Sequence, residues 1–158
     1  MSNYKTVFFI IGVLQIILGI FMAIPIFSQF IFSEIDSSFI TSSAITLVFG
    51  VLFVLSNLDY EKKINLKQAF LLTTLSWLTI AIFGSLPFYF SDLNISFTDS
   101  FFESMSGITT TGSTIITNLN ETPKSILLWR GMLQWLGGIG IIVMAITLMP
   151  LMLSLIHI

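Results

Sequence analysis

The sequence predicts an all-α membrane protein: two transmembrane helices, then one helix, a short re-entrant helix with its loop, and a closing helix. Three observations lead there. Hydrophobic residues make up 55% of the chain and charged residues 9%, outside the range of a soluble domain. The charges sit in short stretches separating apolar runs long enough to cross a bilayer, about 20 residues each. Between the last two runs lies Asp99–Thr114, DSFFESMSGITTTGST. It is too short to cross a membrane, yet long apolar sequence flanks it on both sides.

No ionisable residue lies between Lys5 and Glu34, and Thr6–Phe27 forms the first span. Gly12 and Gly19 lie seven apart on one face, which suits close helix contact. Pro25 falls near the outer end. Ser28–Ser38 holds Glu34 and Asp36 and reads as a polar connection. Phe39–Ser56 is the second span, with Gly50 inside it.

Asn57–Lys67, NLDYEKKINLK, carries three of the six basic residues, Lys62, Lys63 and Lys67. Lys and Arg accumulate in cytoplasmic loops, so this loop is placed inside as a topology determinant. Contact with a cytosolic partner is the alternative. Lys5 lies on the same side, so the N-terminus is cytoplasmic and the loop with Glu34 and Asp36 faces outward. Residues 1–67 therefore form an N-terminal pair of helices with a cytoplasmic loop, and 68–152 a second unit.

Gln68–Phe90 is the third span, with Trp77 near its middle and Pro87, Phe88 and Tyr89 as an interfacial belt at its outer end. Ser91–Thr98 crosses the outer surface. The short helix covers 99–107, with Thr98, Asp99 or Ser100 as its N-cap, and Ser100–Glu103 matches the capping-box pattern. The loop follows over 108–114. Ile115–Lys124 returns to the outer surface, and the fourth span covers 125–150, with Arg130 near its outer end.

Polar backbone at membrane depth is tolerated only when it is buried in protein or lines a water-filled path. The 108–114 stretch therefore reads as a re-entrant, ion-conducting loop, with a glycine-capped external turn as the alternative. Thr109, Thr110 and Thr111 are stiff at χ1 and favour extended backbone, and Gly112 can take φ > 0. Main-chain carbonyls of Ile108, Thr109, Thr110, Thr111 and Gly112 can then replace the hydration shell of a cation. The short helix would add the partial negative charge of its C-terminus.

Glu103 and Arg130 both fall in the outer half of the membrane, where an unpaired charge is costly. They are expected to form a structural ion pair beside the loop, with direct attraction of ions as the alternative. Gly137, Gly138 and Gly140 lack the strand and the remaining fingerprint of a nucleotide loop. They are expected to let the fourth span pack closely against the short helix, with a hinge as the alternative.

The composition excludes several classes. There are no cysteines, hence no disulfide and no thiolate metal site. Six basic residues in 158 form no nucleic-acid patch. The N-terminal apolar run is too long for a signal peptide and has no cleavage site after it. The last six residues, LSLIHI (153–158), are the translation of CTGTCTCTTATACACATC, the end of a widely used sequencing transposon adapter. They are set aside as a read-through artefact, together with His157. The natural protein is then expected to continue beyond Met152. An intramembrane hydrolase using Ser106 or Ser113 would lack a base, so the chain is not read as an enzyme.

FFESMSGITTTGST (Phe101–Thr114), followed by LLWRGMLQWLGGIGIIVMAITLMPLM (Leu127–Met152), resembles the first pore repeat of the TrkH/TrkG potassium uptake proteins. GSLPFYFS (Gly84–Ser91) and the two preceding spans fit the same family. The resemblance implies two accessory helices and one M1-P-M2 repeat out of four, arranged around a pseudo-fourfold pore. It implies a potassium filter with one glycine per repeat, here Gly112. K⁺ would be held by backbone of Thr110, Thr111 and Gly112, with no cofactor. Implied partners are the lipid bilayer of the bacterial inner membrane, a second copy in a homodimer, and a cytosolic TrkA-type nucleotide-binding subunit. A short non-transporting or assembly subunit is the alternative function.

Overall fold

The computed structural model describes residues 4–34, 36–60 and 64–156, with side chains as far as residue 146. The expected roles of Lys62, Lys63 and His157 lie outside the described residues. Helices α1 (Lys5–Phe21), α2 (Ala23–Phe32), α3 (Ser38–Ser56), α4 (Leu66–Gly84), α5 (Leu86–Phe90), α6 (Phe97–Ile108) and α7 (Lys124–Ile156) follow in order. Among the described residues, four stretches are long and apolar enough to cross a membrane: Lys5–Phe32, Ser38–Ser56, Leu66–Phe90 and Lys124–Ile146.

Two prolines shape these spans. Pro25 has no N–H and its ring crowds the Phe21 carbonyl, so the first span breaks at Met22 and resumes as α2. The span then runs on to Phe32, past the expected stop at Phe27. Pro87 acts likewise at Ser85, dividing α4 from α5. The start of α4 falls at Leu66 because Asn65 and Gln68 form a reciprocal capping box: the Gln68 N–H donates to Asn65 Oδ1 at 2.8 Å and the Asn65 N–H to Gln68 Oε1 at 2.9 Å.

The first and second spans meet backbone to backbone. A Cβ on Gly12 would lie 2.9 Å from both the Gly50 carbonyl oxygen and the Val54 nitrogen. Ser43 Oγ donates to the Gly19 carbonyl at 2.8 Å, about two turns further along the same seam. Small residues here replace the hydrophobic drive that lipid cannot supply between helices.

The two ends of the bundle are distinguishable. At one, Lys5 Nζ lies 3.7 Å from Asp59 Oδ2 and Phe9 stacks on Tyr60. At the other, a core of Met22, Phe39, Phe88, Ile126 and Trp129 ties α1, α3, α5 and α7 together. Trp129 meets Phe39 edge-on, and its indole N–H donates to the Gly84 carbonyl at 2.9 Å. Pro123 precedes α7 and offers no capping side chain. Glu34, on the α2–α3 connection, supplies the cap instead, accepting from the N–H groups of Lys124 (2.5 Å) and Ser125 (3.2 Å) and from Ser125 Oγ (2.6 Å).

Candidate functional site

Helix α6 leaves the Glu34 end of the bundle and runs inward. Ser96 caps it: the Asp99 N–H donates to Ser96 Oγ at 3.1 Å, and Ser96 Oγ donates to Asp99 Oδ2 at 2.8 Å. The cap thus precedes the three expected candidates, Thr98, Asp99 and Ser100, which lie within the first turn. Glu103 takes no part in capping. The C-terminal Ile108 packs on Gly137 of α7, where a Cβ would run into the Ile108 carbonyl. Gly137 is thirteen residues, about 20 Å, beyond the start of α7. The chain from 97 to 123 therefore reaches about 20 Å along α7 from its start and returns to the end it came from.

The exit from α6 is a Schellman turn. The Thr111 N–H donates to the Ser106 carbonyl at 3.0 Å and the Thr110 N–H to the Gly107 carbonyl at 2.9 Å. Such a turn needs a left-handed residue at its corner, usually glycine. Here it is Thr110, with φ 58°, while Gly112 has φ 79°. A β-branched residue in this region costs about 1–2 kcal/mol. The hydroxyls of Thr109 and Thr111, 2.9 Å apart, bridge across the corner.

The expectation of three extended threonines is thereby corrected. Thr109 (φ −81°, ψ 3°) and Thr110 turn the chain, because a helix that stops inside the bundle must satisfy its last carbonyls. The carbonyls of Ser106 and Gly107 are used in doing so. Among the described residues, no hydrogen bond ends on the carbonyls of Thr109, Thr110, Thr111 or Gly112, and all four residues are exposed.

Behind this corner the returning chain is clamped to α6 at two points. Ser106 Oγ donates to the Ser113 carbonyl at 2.7 Å. One turn earlier, Glu103 Oε1 accepts from Thr114 Oγ1 and from the Ile115 N–H, each at 2.6 Å. Glu103 is 1% exposed, and its other oxygen lies 2.9 Å from Arg130 Nε. That contact is an ion pair rather than an aligned hydrogen bond. A buried carboxylate needs compensation for its desolvation, and Glu103 has two hydrogen bonds on Oε1 and the Arg130 charge beside Oε2.

One face of α7 supports the whole arrangement. Arg130, Gln134 and Gly137 stand at i, i+4 and i+7, and so project from the same side of the helix. Arg130 meets Glu103, Gln134 meets Gly112, and Gly137 meets Ile108. Gly138 and Gly140, expected to share in this packing, have nothing within 4 Å of their Cβ positions.

The sequence reading missed Ser106, Thr114 and Gln134 as contributors. Sequence alone offers Ser106 only as a candidate nucleophile, whereas its hydroxyl donates to the Ser113 carbonyl. A glutamine within an apolar span was an available signal for Gln134. Chemically, the site offers a row of unused carbonyl dipoles on a loop anchored from behind. The described residues contain no cluster of His, Cys, Asp and Glu able to hold a metal.

Comparison with known proteins agrees with this fold. The family model described as "TrkH: Cation transport protein" matches residues 35–154. The Trk system potassium uptake protein TrkI of Halomonas elongata is 44% identical over 142 residues, 89% of this chain and 29% of that protein. The Trk system potassium uptake protein TrkH of Vibrio parahaemolyticus is 36% identical over 152 residues, 95% of this chain and 31% of that protein. The crystal structure of the potassium transporter TrkH from Vibrio parahaemolyticus superposes with a TM-score of 0.88 over 94% of this chain and 32% of that one. The chain thus spans about 30% of the length of the curated relatives it matches.

Proposed function

Since the chain belongs to the TrkH family of cation transport proteins, we propose that it is the N-terminal part of a potassium uptake protein, contributing one quarter of a cation-selective pore. The observation that carries this reading is the run of four exposed residues, Thr109 to Gly112, whose carbonyls accept no hydrogen bond among the described residues, on a loop read as reaching membrane depth. Unpaired carbonyls in lipid would be prohibitive. Around an axis shared with equivalent loops they can stand in for the water a cation sheds. K⁺ is taken as the ion because the relatives are named potassium uptake proteins and because the backbone of Thr110, Thr111 and Gly112 offers only neutral oxygen donors. No catalysis and no cofactor enter this function.

Glu103 and Arg130 are read as the frame of the loop rather than as ion ligands, since both are engaged behind it. The remaining repeats, a homodimeric state and a cytosolic TrkA-type regulator belong to the same proposal for the full-length protein. The bacterial inner membrane is the expected location, with the N-terminus in the cytoplasm. The pairing of Lys5 with Asp59 at one end, and of Glu34 with the start of α7 at the other, supports that sidedness. The test is growth at low potassium in a host lacking its own uptake systems, using the full-length gene. Rescue by the wild type and loss of K⁺ preference in Gly112→Ser are the expected results. Rescue by Gly112→Ser with unchanged preference for K⁺ over Na⁺ would remove the filter reading.

A further inference from the structure

Gly112 is backed by Gln134 of α7. A Cβ on Gly112 would lie 3.5 Å from Gln134 Nε2. The side-chain direction at this glycine therefore points at α7, away from the exposed side of the loop. Gln134 stands one turn beyond Arg130 and one turn before Gly137, the two residues that hold the outer and inner limits of the loop. Its carboxamide is half-buried and makes no hydrogen bond among the described residues. A polar side chain at bilayer depth is costly without a partner and characteristically faces a water-filled path. Gly112 is the loop residue beside it, and a carboxamide carries two N–H donors and an acceptor.

On the reading of the loop as a cation filter, we propose that Gln134 is a positioning residue for it. Its carboxamide braces Gly112 from behind and, through a water held between α7 and the loop, biases the loop toward the geometry that prefers K⁺. Arg130 and Gly137 fix where the loop sits, and Gln134 sets how stiffly its glycine corner holds its shape. An apolar side chain of the same length would keep the packing and lose the amide donors.

The experiment uses the full-length transporter with Gln134→Met, Gln134→Asn and, as a reference, Gly112→Ala. K⁺ and Na⁺ uptake are read per mole of protein in the membrane. Gln134→Met should raise KM for K⁺ about three- to tenfold, the size of one lost hydrogen bond, and reduce discrimination against Na⁺ with little change in maximal rate. Gln134→Asn should recover part of both, since it restores a carboxamide. Unchanged KM and discrimination in Gln134→Met, beside clear changes in Gly112→Ala, would overturn the proposal and leave the filter intact. A fall in maximal rate alone in both Gln134 variants would also overturn it. If Gly112→Ala too leaves KM and discrimination unchanged, the filter reading itself fails and takes this role with it.

Discussion

Glu103 and Arg130 meet at 2.9 Å across the interface of α6 and α7, and the same carboxylate holds Thr114 and the Ile115 backbone on its other oxygen. The pair therefore connects three segments, not two. Removing either partner leaves the other charge buried, at about 3–5 kcal/mol. Glu103→Ala and Arg130→Ala should each sharply lower the amount of full-length protein in the membrane. The exchanged pair Glu103→Arg with Arg130→Glu should recover abundance but not K⁺ affinity, because an arginine cannot accept from Thr114 and Ile115. Abundance no better in the exchange than in the single variants would show that the ion pair is not what stabilises the junction.

Gly137 and its neighbours make a sharper contrast. A methyl group at 137 would enter the Ile108 carbonyl, a backbone atom that cannot move aside, whereas one at 138 or 140 meets nothing within 4 Å. Gly137→Ala should cost at least the 1–3 kcal/mol typical of overpacking and abolish uptake. In this chain alone Gly138→Ala and Gly140→Ala carry no such clash. Thermal unfolding of the three variants in detergent would check the order, and equal losses at all three would contradict it.

Much of this was legible in the sequence, and for physical reasons. Charges cannot be spread through lipid-spanning helices, so their spacing marked the spans. Two charges stranded in apolar sequence must find one another, which made Glu103 and Arg130 a readable pair. What was hidden depended on contacts distant in the chain or on conformations against local preference. Nothing near Pro123 announces that Glu34 will cap α7 from ninety residues away. Three consecutive threonines argue for extended backbone. The need to close the α6 carbonyls outweighed that preference and forced Thr110 into a left-handed turn.

That forced turn is testable. Glycine pays no steric penalty at φ 58° and asparagine tolerates it. Thr110→Gly should relieve the backbone strain, but it also adds backbone freedom to the unfolded chain. Thr110→Asn avoids most of that opposing term and should stabilise the protein by about 1 kcal/mol. Raised thermal stability for Thr110→Asn is the expected result. A lowered one would mean that the threonine side chain contributes more than its backbone costs.

Gln15, on the face of α1 turned to the helical core, is fully buried, and neither its carboxamide oxygen nor its nitrogen has a partner among the described residues. A buried polar group without a hydrogen bond costs about 1–3 kcal/mol. Gln15→Met keeps the length and removes the polar atoms, so it should raise the unfolding temperature. A fall on substitution would indicate that the carboxamide is satisfied, for instance by an internal water.

Glu34 gives a pH dependence with a definite sign. Burial pushes its carboxyl upward, but the hydrogen bonds from the Ser125 hydroxyl and the Lys124 and Ser125 N–H groups, with the Lys124 charge, outweigh it and hold the group below its ordinary 4.5. A carboxyl lowered in the folded state stabilises that state fully above the ordinary value, and the contribution fades as pH falls through the lowered one. The ionised form is also favoured by the partial positive charge at the start of α7. Below about pH 4.5 the α2–α3 connection should therefore loosen from α7, while the Lys5–Asp59 end is untouched by this group. Other carboxylates titrate in the same range, so the informative quantity is the difference between wild type and Glu34→Gln. Their unfolding temperatures should lie apart at pH 6 and converge as the pH drops toward 3. A constant gap across that range would mean that the cap does not depend on the charge of Glu34.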